Sequence, residues 1–511
     1  MLASIKLSIK HSVVYGLGTL ASKLVGFILI PLYTTYFSIA DYGIIGLVEV
    51  SSTAIISIFG LALYQALYRW YWDQAFLNRQ GSIFFTILAF LAAVGFIINL
   101  MAWTFDEMIS ASLFGHPGHQ TLVRLFFAAS GLQILIVVIS TVMQLRQRSL
   151  IFTLTSLAML LVQLVLTLIL IIVYGMGIEA IYYAQVAGSL VYLILAARFT
   201  KKHLDLRFEK TILHDMLIFS FPLIISNIAA LVLSLADRYL LRVYSTMDDL
   251  GVYQFGYKIA NTLQVLIVST AAMALNPLKF RKMNDPDAKR FYSKVLTYTA
   301  YVLMFLVLGM TLFGFEAVKA LAKNKEYWSS HILIPIISFG IFFGMLKDNV
   351  MIGLHIAKRT KTISLILILT ACISLLLNWL VIPWKGSLGA AWVFLLSQVI
   401  FFVTTFFIAQ RIYPVAYEMR KVLVLLSICA VFWFFSMLLH PMPLLTRMVI
   451  KIPMLLSFPF ILFLFNFYDQ IELMHIRNGV KKWSNLRGLK RNVSAVVNRK
   501  RDQAGSNSND I

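Results

Sequence analysis

The sequence predicts an all-α protein that crosses a membrane many times, with about fourteen helices arranged as two six-helix halves and two further helices. Three observations carry that expectation. The chain is 60% hydrophobic and 13% charged, with a mean hydropathy of +0.83. Apolar runs of about twenty residues recur from end to end, which no water-soluble core requires. Lys and Arg fall in every second loop. Finally, weak self-similarity is held at one spacing: Asp41 and Asp249, Gly43 and Gly251, and Ala66 and Ala274 are each 208 residues apart, and Ala180 and Ala390 are 210 apart. Such symmetry is what two fused halves leave behind. The alternating ten-residue strands of a barrel are absent.

Cutting at polar turns places the spans near 12–37, 43–64, 81–103, 121–143, 150–174, 178–198, 216–243, 250–275, 294–318, 331–355, 362–382, 388–410, 421–440 and 445–467. Lys6, Lys10 and His11 precede the first span. No short apolar core with a small-residue cleavage site follows them, so it reads as a retained helix rather than a removed signal peptide.

Basic residues gather at Arg69 and Arg79, Arg146 and Arg148, Arg198 to Lys210, Lys279 to Arg290, Lys358 to Lys361, and Arg411 to Lys421. The intervening loops are short or acidic, as at Asp41, Asp106-Glu107 and Asp248-Asp249, with Lys319, Lys323 and Lys325 the exception. The positive-inside rule then puts both termini in the cytoplasm. The expected organisation is a first half at 1–200, a basic linker at 201–215, a second half of the same orientation at 216–412, two extra spans within 413–470, and a basic cytoplasmic tail at 471–511. From Arg477 that tail, with Trp483, suits either a helix lying on anionic headgroups or a solvated topogenic segment, and it ends in a polar run.

A net charge of +22 would suggest nucleic acid in a soluble chain, but here the basic residues set topology, and no nucleic-acid partner is expected. Cys372 and Cys429 lie in separate apolar segments and indicate neither a disulfide nor a metal. His116-Pro117-Gly118-His119 has a two-ligand spacing, but it sits in a turn with no further ligand nearby, so a plain loop is favoured. No phosphate-binding loop, dinucleotide fingerprint or hydrolase elbow occurs. Neither a cofactor nor ATP coupling nor catalysis is expected.

Ionisable residues inside the spans are the candidates for function, because a bare charge at bilayer depth is expensive and tends to face a cavity or a partner. Lys23 lies about 17 Å from the start of its span at ~1.5 Å per residue, near mid-membrane. Glu49 follows in the second span, Asp237 and Arg238 in the seventh, Lys258 in the eighth, and Lys347 and Asp348 in the tenth. Positive charge predominates and both halves contribute, which suits a water-filled cavity for an anionic group such as phosphate or diphosphate. Lys would act there as a point charge and Arg as a bidentate donor.

Two purely structural alternatives stand beside this. Adjacent helical residues point about 100° apart, so Asp237 and Arg238, or Lys347 and Asp348, could each pair locally with neighbours and serve structure only. Glu49 could be the partner of Lys23, or a proton site.

Several motifs resemble the bacterial polysaccharide biosynthesis family, the Wzx-type flippases of lipid-linked oligosaccharides. They are Pro31-Leu32-Tyr33-Thr34-Thr35-Tyr36-Phe37-Ser38 with Asp41-Tyr42-Gly43, Ala66-Leu67-Tyr68-Arg69-Trp70, and Phe219-Ser220-Phe221-Pro222 with Ala236-Asp237-Arg238-Tyr239 and Gly256-Tyr257-Lys258. Leu388-Gly389-Ala390-Ala391 and Tyr413-Pro414-Val415 extend the likeness over nearly the whole membrane region.

The resemblance implies the multidrug/oligosaccharidyl-lipid/polysaccharide exporter fold, with two halves around a cavity that opens alternately to each side. It implies an inner-membrane flippase that carries undecaprenyl-diphosphate-linked units of O-antigen, capsule or exopolysaccharide. The lipid bilayer would be one partner, and the polymerase and chain-length proteins of assembly others. Lys23, Arg238, Lys258, Arg69 and Lys347 would bind the diphosphate, with Glu49, Asp237 and Asp348 pairing charge or coupling ions. The competing readings are an ion-coupled multidrug exporter of the same superfamily, a non-transporting scaffold, and a membrane-embedded glycosyltransferase. The sequence does not name the glycan.

Overall fold

Capping residues and glycines decide where this apolar chain starts, turns and packs. The computed structural model describes residues 26, 28–439, 441–470 and 473–474. Lys23 and the tail from Arg477 with Trp483 lie outside them. The described residues are helical with connecting turns and contain no strand.

Eleven helices among the described residues are long and apolar enough to cross a membrane. Four expected spans take another form. The first contributes only the helix Ile30–Tyr36 to the described residues, with Pro31 in its opening turn. The span near 250–275 is divided into Met247–Ala260 and Ser269–Arg281 by a π-turn at Gln264–Val268, a bulge that redirects a helix without ending it. The spans near 362–382 and 388–410 run on as Thr360–Ile412, interrupted at Gly386 with φ 52° and ψ −133°. Glycine alone enters that region cheaply, so a single residue changes the chain's direction.

The repeat is visible in the caps. Helix Ile39–Phe59 starts with a capping box: Ser38 Oγ accepts from Asp41 N at 3.1 Å, and Asp41 Oδ2 accepts from Ser38 N at 3.1 Å. Helix Met247–Ala260 starts with Thr246 Oγ1 accepting from Asp249 N at 3.1 Å. Each cap satisfies a donor that the first turn leaves open, and the acids favour the positive helix end.

These two helices cross at their equivalent glycines. A Cβ on Gly251 would fall 2.0 Å from the Ile39 carbonyl oxygen, and one on Gly43 would fall 2.5 Å from that of Met247. Equivalent positions touching each other is what a two-fold axis between the halves requires. Glycine is needed because backbone meets backbone there.

Around that crossing the rings of Tyr42, Phe255 and Tyr327 meet edge to face. The Tyr327 hydroxyl donates to the Phe37 and Ser38 carbonyls at 3.1 and 2.9 Å, and Arg242 Nε donates to the Leu113 carbonyl at 2.9 Å. Leu113 lies in the last turn of helix Asp106–Phe114, where a cation is favoured. This end of the bundle, with the acidic turns, is closed.

The linker is a strap. Glu209 is buried; its N donates to Thr86 Oγ1 at 2.9 Å and its carboxylate meets Arg207 Nε at 3.3 Å. Helix Lys210–Tyr244, with Pro222 inside it, begins from that anchor and packs along both Ile39–Phe59 and Thr360–Ile412.

The chain divides into one unit up to Glu418 and a second from Met419. The described part of the second consists of helices Met419–Leu438 and Leu444–Leu464, with Lys421 Nζ donating to Asp469 Oδ1 at 2.8 Å.

Candidate functional site

The seam between the halves loosens below the glycine crossing. Glu49 follows Gly43 by six residues, about 9 Å along the helix. Its Oε1 lies 2.8 Å from Lys258 Nζ and its Oε2 accepts from Gln254 Nε2 at 3.1 Å. Lys258 and Gln254 belong to the opposite half, so the ion pair bridges the seam. It is not sealed: the side chains of Lys258 and Glu49 are 21% and 45% exposed. Lys258 Nζ also stands 6.0 Å from the Tyr42 ring centre. Gln254 packs against Gly46, where a Cβ would come within 2.6 Å of Gln254 Cγ, so glycine admits the amide to Glu49.

Asp237 and Arg238 behave differently. Arg238 is 2% exposed. Its Nη1 donates to Asp237 Oδ1 at 2.7 Å, to Oδ2 at 2.9 Å and to the Ser234 carbonyl at 2.8 Å. Its guanidinium lies 3.9 Å from the centre of the Tyr257 ring, and the Tyr253 hydroxyl donates to Asp237 Oδ2. Lys347 likewise pairs with Asp348, at 2.9 Å, beside the Phe401 ring at 4.5 Å.

Adjacent residues do not face each other on a helix, yet at both sites the basic side chain pairs with the acid next to it. The two side chains leave the helix in different directions, but a long basic side chain folds back over its neighbour, in a buried pair for Arg238 and in a partly exposed one for Lys347, whose partner Asp348 is 55% exposed.

Arg69 is exposed on the short helix Leu63–Trp70, whose Leu63, Ala66 and Leu67 are buried. Its guanidinium lies 5.3 Å from the Trp70 ring and 5.6 Å from that of Phe219 in the opposite half. A cleft of about 350 Å³ opens between the halves toward this end, lined by Ser57, Tyr64, Asn227, Ser234 and apolar residues. At the same end Arg146 donates to the Tyr71 hydroxyl; burial pushes the Tyr71 phenol up, more than the guanidinium lowers it.

The structure thus brings Glu49 and Lys258 together, sets Asp237 with Arg238 and Lys347 with Asp348 as separate pairs, and leaves Arg69 apart from all of them. His116 and His119 lie ring to ring at 4.8 Å, and no group of three or more potential metal ligands occurs among the described residues. Sequence reasoning missed Gln254, Tyr253 and Tyr257. Their i, i+4 relation to Lys258 or to each other was the available signal, since side chains so spaced share a helix face.

Two helical halves, joined back to back at one end and cleft toward the other, with ionisable groups on the seam, form the fold of a secondary membrane transporter. It is similar to the solved structure of the lipid II flippase MurJ in an inward closed conformation, at 13% identity and a TM-score of 0.74, covering 88% of this chain and 99% of that one. It is also similar to an inward-facing multidrug resistance MATE family transporter of the MOP superfamily, at 12% identity and a TM-score of 0.65, covering 79% and 96%. These likenesses concern the fold alone.

In sequence, the capsular polysaccharide biosynthesis protein CapF of Staphylococcus aureus is 26% identical over 186 residues, 35% of this chain and 43% of that protein. The match thus spans less than half of that relative's length. The profile of the polysaccharide biosynthesis protein family matches residues 8–283, over half of the chain, and the chain belongs to that family. It is a multi-pass membrane protein.

Proposed function

We propose that this protein is a flippase that moves a lipid-linked oligosaccharide from the cytoplasmic to the external leaflet of the inner membrane by alternating access. The observation that carries this reading is the half-exposed Glu49–Lys258 pair on the seam, about two turns below a closed end. A cation already partly desolvated, and held by one partly exposed acid, can exchange that acid for a diphosphate at little extra desolvation cost. The charge basis distinguishes this reading from export of a cationic drug, which Lys258 would repel.

In this mechanism both termini are cytoplasmic, the basic loops face the cytoplasm, and the closed end faces outward. The diphosphate enters past Arg69, whose stacked guanidinium marks the open mouth. It displaces Glu49 from Lys258, and Lys23 of the first span shares its charge. With the ion pair parted, the seam at Gly43 and Gly251 loses support from beneath, and the halves rock toward the outward-open state. The polyprenyl tail stays in the bilayer. Glu49, freed from Lys258, takes up a proton or cation, which couples the return step. Arg238, held by Asp237, Tyr253 and Tyr257, fixes the helix that presents Lys258 and takes no part in the exchange.

The test is complementation of a strain that lacks its own repeat-unit flippase. Lys23→Ala and Lys258→Ala are expected to reach normal membrane levels while surface glycan disappears and lipid-linked units accumulate inside. Unchanged surface glycan in both variants would remove the basis of the reading.

A further inference from the structure

Beyond the π-turn at Gln264–Val268, the segment Ser269–Arg281 stands off from helices Ala288–Leu321 and Leu333–Val350. The gap is a cleft of about 490 Å³, and every residue that lines it belongs to the C-terminal half. Its walls are mainly apolar, with Ala271, Ala272, Leu275 and Leu303 among them. At its rim Tyr298 and Val302 are 44% and 49% exposed, so the cleft opens to the surroundings of the bundle.

One cation is buried in it. Lys279 is 6% exposed, and Tyr292 fixes its backbone by donating to the Lys279 carbonyl at 2.9 Å. The ammonium donates to Asn349 Oδ1 at 2.8 Å, and Lys279 forms no ion pair among the described residues. Asp348 lines the same cleft, but its carboxylate is 2.9 Å from Lys347 Nζ. Lys279 therefore meets a neutral amide where a buried cation calls for an anion, and an ammonium has three donors to place.

We propose that this cleft is a binding site for an anionic phospholipid, with the phosphate at Lys279 and the upper part of one acyl chain along Ala271, Leu275 and Val302. An anionic oxygen would recover the desolvation cost of Lys279, and the apolar walls match a chain rather than sugars. Basic pockets between membrane helices recognise phospholipid headgroups in this way. Lys279 also stands next to Arg281 and Lys282, at the basic-loop end where headgroups lie. The lining favours bilayer phospholipid over the lipid carrier, because all of it belongs to one half, whereas the carrier's glycan must pass between the halves. The site does not depend on the transport reading, since binding is measured without transport.

The experiment is thermal unfolding of the purified full-length protein in neutral detergent, with phosphatidylglycerol, phosphatidylcholine or undecaprenyl phosphate added. Phosphatidylglycerol is expected to raise the Tm of the unmodified protein by several degrees, and phosphatidylcholine to leave it unchanged. Lys279→Met should lose the rise and Lys279→Arg should keep most of it. Ala272→Phe, which fills the cleft but leaves the lysine, should also lose it, and it decides the matter alone if Lys279→Met does not fold. A full response in Ala272→Phe, or a rise with undecaprenyl phosphate but none with phosphatidylglycerol, would overturn the proposal.

Discussion

Two of the ion pairs among the described residues of the membrane region are opposites. Asp237 and Arg238 are neighbours on one helix, 7% and 2% exposed at their side chains, and closed in by two tyrosines and the Ser234 carbonyl. Glu49 and Lys258 come from different halves and are 45% and 21% exposed, and one amide, Gln254, donates to Glu49 alone. A buried pair inside one half holds that half together. In the proposed mechanism, a half-open pair across the seam is the one that exchanges, and its loss changes how the halves meet.

The largest effect that would break this contrast is on stability. Arg238→Met strands the Asp237 carboxylate in a buried site, which costs about 3–5 kcal/mol. Most of the protein should then be missing from membranes by blot, and Asp237→Leu combined with Arg238→Met should recover much of it. If Arg238→Met accumulates normally and loses only glycan export, Arg238 belongs with the exchangeable charges and the contrast collapses.

A second substitution sharpens the other side. Glu49→Gln should lower the unfolding free energy by no more than about 1 kcal/mol, because the pair is partly solvated. Export should nevertheless fall at least tenfold, read as surface glycan per unit of membrane protein. The smallest effect is expected from Gly46→Ala. The added Cβ would displace the flexible Gln254 side chain from Glu49, at a cost of about 0.5–1.5 kcal/mol for one hydrogen bond. Export should decline only mildly, and a collapse as deep as that of Glu49→Gln would show that Gln254, not Lys258, holds Glu49 in place.

Much of the fold was legible in the chain because hydrophobicity in a bilayer is a local signal. Each span must satisfy its own backbone, so length and composition suffice to find it. Where the reading and the structure differ, local conformation is the reason. Gly386 and the π-turn at Gln264–Val268 are single-turn events that a hydropathy window averages away. The candidate site was legible only as a set of residues. Glu49 and Lys258 are 209 positions apart, and no helical periodicity relates them.

By itself the sequence determined most of the helical spans, the two related halves, the family and which ionisable residues lie inside the spans, since each is written in composition or at a fixed spacing. The tertiary structure alone decided which charge meets which: Lys258 with Glu49, Arg238 with Asp237, and Lys279 with an amide in place of an anion. Pairing depends on helix rotation and on how closely two backbones approach, and those are set by packing at contacts such as Gly43 on Gly251 rather than by any residue's neighbours in the chain.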